Sequence, residues 1–258
     1  MSLSERVRYT GASARRAELV RRLTADGYVS SAGLALELGV SEMTIRRDLR
    51  QLDLDGIARR VTGGASLPAG GGEPFDQRDR ASTGEKRSIA AACAELLADA
   101  TTLALDAGTT VAPLAGLVAK GATVVTHSLP VISTCAARDD VELVALGGTY
   151  QWDTRSFTGP ATEAGLASLS VDAAVLSATA VDSSGLLCAN ALDASIKQRM
   201  ADVAVTTILL VDHRKIGARA PIRFGRLDLV DVVVTDSAVT ADQQRLLRSG
   251  GARLVVAP

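Results

Sequence analysis

The strongest constraint on the fold is a seam. Residues 68–74 read Pro68-Ala69-Gly70-Gly71-Gly72-Glu73-Pro74, three glycines between two prolines. Proline removes a backbone donor and glycine loses the most freedom on ordering, so no helix or central strand runs through such a stretch. The two sides of the seam also differ in period. Before it, apolar residues recur at helical spacing; after it, short apolar runs alternate with helical stretches. The 258 residues therefore read as a small unit over 1–67, a linker over 68–76 and a larger unit over 77–258.

In the small unit, Ala17, Val20 and Leu23 fall on one stripe of a helix over 14–25 that Gly27 ends. Residues 28–30 suit a short extended piece. Ser31 stands as the cap of a helix over 32–38, stopped by Gly39. Ser41 caps a third helix running to about Leu54, with Thr44 where a capping box has Glu or Gln. Residues 57–61 and Gly63-Gly64 suit a hairpin. Three short helices and a hairpin make a winged helix-turn-helix.

Winding 41–52 at about 100° per residue puts Ile45, Leu49 and Leu52 on the inner face. Met43, Thr44, Arg47, Arg50 and Gln51 fall on the outer face, Arg46 lies on the flank, and Asp48 can pair with a neighbouring arginine. Cations, a hydroxyl and an amide are the groups that reach phosphates and base edges from a helix in the major groove. Arg59 and Arg60 sit near the hairpin tip, placed for an adjacent groove. The candidate DNA contacts are Ser41, Thr44, Arg46, Arg47, Arg50, Gln51, Arg59 and Arg60. The competing reading is a solvated arginine-rich helix. The charge split fits either: the first 66 residues hold 11 Arg, no Lys and 8 acids, and the remainder carries a net −4. The order of the elements, the polar outer face and the wing together favour DNA.

The larger unit alternates strand candidates at 102–106, 123–126, 142–146, 173–177, 207–211, 232–235 and 253–256 with helices near 85–97, 111–119, 130–137, 162–168, 194–203 and 241–248. Near-continuous apolar runs mark strands covered on both faces, so the fold class is α/β with a mainly parallel sheet. In such sheets ligands sit outside the carboxyl ends of the strands. Asp106, Gly108, Thr109 and Thr110 follow the first strand, His127 the second, and Gly147 and Gly148 the third. Gly108 would let a ligand approach, and Thr109 and Thr110 would open a helix whose N–H groups favour an anion; a plain helix cap is the alternative. Asp193 and Lys197 stand four apart on one helix, as a surface pair or with Lys197 on a ligand oxygen. Lys215 follows another strand. Only four lysines exist, Lys86, Lys120, Lys197 and Lys215, and two at strand ends favour a polyanionic, polyhydroxylated ligand.

Composition removes several classes. With 47% apolar and 22% charged residues the chain folds rather than staying disordered. Its apolar run near 203–211 is about half of the roughly 20 residues a membrane helix needs. The first eight residues hold charges and no apolar core of a secretory signal. Three scattered cysteines argue against a disulfide framework or zinc site, and two histidines against a site built on three. The 3% of aromatic residues argues against a base-stacking single-strand binder. A cytoplasmic protein without metal or cofactor is expected.

The residues also resemble a known family, the DeoR family of bacterial transcription regulators. The match runs through Arg15-Arg16-Ala17-Glu18-Leu19-Val20, Gly27-Tyr28-Val29, Leu38-Gly39-Val40-Ser41-Glu42-Met43-Thr44-Ile45-Arg46-Arg47-Asp48-Leu49, and Gly56-Ile57-Ala58-Arg59-Arg60-Val61 with Gly63-Gly64-Ala65. It continues in Glu85-Lys86-Arg87, Ile89-Ala90, residues 106–110, Gly147-Gly148, Thr158-Gly159-Pro160-Ala161, Lys197, Asp212, Lys215 and Gly217. The resemblance implies a sensor domain similar in fold to ribose-phosphate isomerases that binds phosphorylated sugars or related metabolites. It places the effector at Asp106, Gly108, Thr109, Thr110, Gly147, Gly148, Lys197 and Lys215, to which strand-end position adds His127 and the spacing of four from Lys197 adds Asp193. This chain departs from the family at Thr62 (usually His), His127 (Asn), Asp193 (Glu) and Thr179-Ala180 (Ser-Gly). The function so implied is a DNA-binding repressor of sugar or related catabolism, acting as a dimer or higher oligomer on double-stranded operator DNA, with a phosphorylated sugar as effector. The alternatives are a sugar-phosphate isomerase with an appended DNA-binding domain, and a DNA-binding protein whose second domain only oligomerises.

Overall fold

The computed structural model describes residues 11–26, 28–55, 57–61, 63–66 and 75–258. By compactness the chain divides into Met1–Pro74 and Phe75–Pro258. The expected linker falls mostly outside the described residues, as do Gly27, Gly56 and Thr62.

The first unit holds α1 (Ala12–Asp26), β1 (Tyr28–Ser30), α2 (Ser31–Leu38), α3 (Glu42–Leu54), β2 (Arg59–Val61) and β3 (Gly64–Ser66). Its three strands pair antiparallel in the order β1-β3-β2. The cap of α2 is Ser30, not Ser31: Ser30 Oγ accepts from the Gly33 N–H at 3.3 Å, because Ser31 already has helical geometry. Gly39 ends α2 in the left-handed region at φ 66°, which glycine adopts without a steric penalty. Leu19, Leu23, Leu34, Leu38, Ile45, Leu49 and Leu52 form one buried core, so the expected inner face of α3 is buried.

The second unit begins with α4 (Phe75–Arg80), which takes up residues 75 and 76 of the expected linker. Phe75 is buried, its N–H donates to the Asp153 carbonyl at 3.2 Å, and the Arg78 and Arg155 guanidiniums lie over its ring, 5.7 and 5.5 Å from the centroid. Then come α5 (Thr83–Leu96), β4 (Thr102–Leu105), β5 (Thr123–Thr126), α6 (Leu129–Cys135), β6 (Glu142–Ala145), β7 (Thr149–Gln151), β8 (Ser156–Thr158), α7 (Pro160–Ala167) and β9 (Val171–Ser177). The rest is β10 (Ala180–Asp182), β11 (Gly185–Cys188), α8 (Ala191–Asp202), β12 (Ala204–Leu210), β13 (Ile222–Gly225), β14 (Val232–Thr235), α9 (Ala241–Arg248) and β15 (Arg253–Val256). The helix expected over 111–119 is a short 3-10 helix, Ala112–Gly116, with Pro113 in its first turn. Among the described residues no helix is long and apolar enough to cross a membrane.

Seven strands form one sheet in the order β15-β14-β12-β9-β4-β5-β6, and every neighbouring pair is parallel. Alternate residues feed two cores, as a sheet covered on both faces requires. Leu103, Leu105, Val124, Val175 and Leu210 join the core under α5 and α6, while Ala104, Val125, Leu176 and Leu209 join the one containing Ile196 and Met200 of α8. The chain runs from β4 outward through β5 and β6, then returns to place β9 on the other side of β4. The topological switch point therefore lies between β4 and β9, where the crevice at the carboxyl ends of such a sheet opens.

Candidate functional site

In the first unit, Ser41 caps α3: its Oγ accepts from the Thr44 N–H at 3.1 Å and lies 2.8 Å from Thr44 Oγ1. Arg46, Arg47 and Arg50 are exposed beside Met43. Arg46 does not stand alone, since both its Nε and Nη2 donate to Glu42 Oε1, at 3.0 and 2.7 Å. Gln51 is held by Asp55, its Nε2 donating at 2.8 Å. Arg60 is exposed, and its backbone N–H donates to Asp53 at 3.2 Å, tying the wing to α3. The Arg59 side chain lies outside the described residues. The partner of Asp48 is Arg15 of α1, and both are buried. That ion pair locks the reading helix to the first helix from inside the unit.

In the second unit, the switch point is filled by Asp106. Its Oδ2 accepts from the Ser177 N–H at 2.9 Å and the Ser177 hydroxyl at 2.7 Å, joining the ends of β4 and β9. The Lys197 ammonium also donates to that oxygen. Asp193 Oδ1 lies 3.5 Å from Lys197 and the Ser177 hydroxyl 3.4 Å, so three oxygens face its three protons. His127 Nε2 is 3.4 Å from Asp106 Oδ1, and its Nδ1 is 2.9 Å from the Phe157 carbonyl. Asp106, His127, Lys197 and Asp193 are all buried. Burial pushes the Asp106 carboxyl up, but the Lys197 charge and the His127 contacts outweigh it and hold the group well below the usual carboxylate range. Burial pushes the Lys197 ammonium down, and Asp106 and Asp193 reverse that, so it stays charged. Asp193 is raised, first by burial and further by Asp106, against the pull of Lys197.

A second cluster lies at the ends of β4 and β12. Lys215 Nζ is 3.2 Å from Thr110 Oγ1 and 3.6 Å from Asp212 Oδ2. Burial lowers the Lys215 ammonium to about 8; Asp212 opposes this, and Arg78, Lys86 and Lys197 add to it. Lys86 of α5 is buried and donates to the Arg78 carbonyl. Burial lowers its pKa too, with Asp212 and Asp79 opposing and Arg214 and Arg78 adding. Five cations take part here: Lys86, Lys197, Lys215, Arg78 and Arg214. The buried Thr109 Oγ1 and Asp212 Oδ2 have no hydrogen-bond partner. A groove of about 1000 Å3, lined by Phe75, Lys86, Thr109, Pro113, Leu129 and Arg155 among others, touches this cluster at Lys86 and Thr109.

Three sequence expectations change here. A Cβ at Gly108 would collide with the Ser177 side chain, so its glycine serves packing between β4 and β9 rather than the approach of a ligand. Thr109 and Thr110 do not open an α-helix; the Gly108 carbonyl accepts from Val111 and Ala112 in a tight turn before the short 3-10 helix, so no helix dipole is aimed at a ligand. Gly147 and Gly148 are exposed and belong to the β8–α7 packing. The Gly147 carbonyl accepts from Thr162 Oγ1 at 2.7 Å, and a side chain at Gly148 would strike Thr162 and the Thr158 carbonyl. Lys86, Arg78 and Ser177 are not among the effector residues expected from the sequence, although Lys86 stands in the family match. The scarcity of lysine was the available signal for the first.

Comparison with known proteins decides between the alternatives. A model of the DeoR-like helix-turn-helix domain matches residues 15–69, and one of the DeoR C terminal sensor domain matches residues 81–237. The HTH-type transcriptional regulator GlpR of Haloferax volcanii is 33% identical over 88% of this chain and 90% of its own length. The chain belongs to the DeoR family. The glycerol-3-phosphate regulon repressor of Escherichia coli K12 is 32% identical over 85% of this chain and 88% of its own. The HTH-type transcriptional regulator IolR of Bacillus subtilis is 30% identical over 84% and 88%. As a DeoR-family member the protein is a DNA-binding transcriptional regulator, not an enzyme, and the isomerase alternative is set aside. Ribose 5-phosphate isomerase A from Methanocaldococcus jannaschii aligns over 51% of this chain and 53% of its own, at 17% identity and a TM-score of 0.35, a likeness too slight to bear on function.

Proposed function

We propose that this DeoR-family chain is a cytoplasmic repressor of sugar or related catabolism whose hold on operator DNA is controlled by a phosphorylated sugar. The observation that carries this reading is the Lys215 ammonium at 3.2 Å from Thr110 Oγ1, with Lys86 and Arg78 acting on it, next to the unpartnered Thr109 hydroxyl and with Asp212 the nearby carboxylate. Cations that depress one another's pKa gain most from a dianion. The phosphate sits against Thr109, Thr110, Lys215 and Lys86, and the sugar hydroxyls turn toward His127 and Asp193. Lys197, faced by three oxygens, holds Asp106 and positions the pocket instead of gripping the phosphate. Arg47, Arg50, Thr44 and the wing carry DNA contacts, and Arg46 exchanges Glu42 for a phosphate on binding. One α3 spans only a few base pairs, so selective binding requires at least a dimer reading two half-sites.

The test is a thermal-shift screen of the full chain over phosphorylated sugars. It starts with glycerol 3-phosphate, because the name of one relative refers to it. A ligand at 100 times its Kd stabilises by about 2.7 kcal/mol. Thr110→Val should weaken that ligand by about 1.5–3 kcal/mol through loss of one hydroxyl to a charged oxygen, and leave operator binding unchanged. Stabilisation by the unphosphorylated sugars alone, or by nothing in the panel, overturns the reading.

A further inference from the structure

We propose that Met43 is a specificity-determining residue that reads the 5-methyl group of a thymine in the operator. Met43 is 74% exposed in the first turn of α3, and it lies on the same stripe of the helix as Arg47 and Arg50. The N-terminal residues of a reading helix are those that meet base edges. The other side chains of that turn already have partners. Ser41 and Thr44 are bonded to each other, and Glu42 is bonded to Arg46. Met43 is left as the side chain that projects from this turn, and it is apolar. The apolar group that the major groove offers is the thymine methyl. An unbranched thioether chain with three rotatable bonds can settle on a methyl without fixed geometry. The buried Arg15–Asp48 pair and the Ile45, Leu49 and Leu52 face fix the helix from behind, so Met43 has a set position when α3 enters the groove.

The contact is testable without knowing the operator beforehand. Full-length protein is used to select binding sites from random duplexes, and each thymine of the selected half-site is then replaced by uracil, which removes only the methyl. One position per half-site should weaken the parent by about fourfold, the equivalent of ~0.8 kcal/mol for one buried methyl, and by roughly 16-fold when both halves are changed. Met43→Ala should bind the thymine site more weakly and show no penalty at that position. Met43→Leu, which keeps an apolar side chain, should keep the penalty. Circular dichroism confirms that both variants fold. The proposal is overturned if no thymine in the site is sensitive to uracil, or if Met43→Ala retains the parent's uracil penalty at every position.

Discussion

Replacing Asp106 by alanine tests what holds the centre of the sensor unit. The carboxylate is fully buried and holds the Lys197 ammonium together with the N–H and hydroxyl of Ser177. Its removal leaves a buried ammonium with Asp193 at 3.5 Å and the Ser177 hydroxyl at 3.4 Å, and strips the Ser177 N–H of its acceptor. Breaking a buried pair by deleting one partner costs about 3–5 kcal/mol. The orphaned Ser177 donors lie within that figure, because contacts in one network do not add. At roughly 2–4 °C per kcal/mol for a domain of this size, the melting transition should fall by about 6–20 °C. Calorimetry of the full chain reads it, and the transition of the N-terminal unit should stay in place as an internal control. Asp106→Asn keeps the shape and an acceptor but not the charge, and should fall between parent and alanine. The pH response has a definite sign. The folded Asp106 carboxyl titrates below its unfolded value of about 3.9, so its contribution is complete above that pH and is lost as acid is added below it. Asp106→Asn should flatten that acid limb. An alanine variant within about 1 kcal/mol of the parent would show that the network is not what joins β4 to β9.

Other residues give further expectations. Arg15→Ala leaves Asp48 charged and buried, so the N-terminal unit should lose about 3–5 kcal/mol in denaturant unfolding, and the Arg15→Ala, Asp48→Ala double variant should recover part of it. Arg47→Ala should lower the slope of log affinity against log salt by about one on any DNA if Arg47 meets a phosphate, and relax specificity by about 1–3 kcal/mol if it meets a base; an unchanged titration would refute both. The affinity of a phosphorylated effector, measured calorimetrically, should fall as pH rises from 7 to 9, because the Lys215 ammonium loses its proton near 8. Lys215→Met should bind more weakly at pH 7 and lose that dependence; a Lys215→Met variant with the parent's pH profile would place the anion elsewhere.

What the sequence revealed and what it concealed divide along physical lines. The seven strands of the parallel sheet were visible because short apolar runs recur between helical stretches, and α3 because three apolar side chains recur at its period. The strands β7, β8, β10, β11 and β13 were missed because they lie outside the parallel sheet and break the alternation of strand and helix that marked the other seven. α4 hid inside the expected linker, because its anchor, the contact of the Phe75 ring with Arg155, depends on a residue 80 positions away. The expected dipole at Thr109 and Thr110 failed because the segment after them is only a 3-10 helix of 5 residues, Ala112–Gly116, too short to sum a macrodipole.

The lysines show most clearly why residue type and strand-end position stop short of a role. Lys197 and Lys215 both stand near strand ends and both looked like anion grips. Lys197 meets Asp106, 91 residues earlier in the chain, and Asp193 on its own helix, so its charge is matched inside the protein and two carboxylates hold it protonated. Lys215 has Asp212 at 3.6 Å, with Lys86 and Arg78 acting against it, and burial brings it close to losing its proton. A lysine with matched charge holds the fold; a lysine with unmatched charge gains from a bound anion. Which is which depends on pairs made across the switch point of the sheet, and those pairs follow from strand order rather than from any local motif. On the proposed function, the anion lies beside β12 and α5 with Lys215, and the Asp106–Lys197 pair stays behind it as part of the fold.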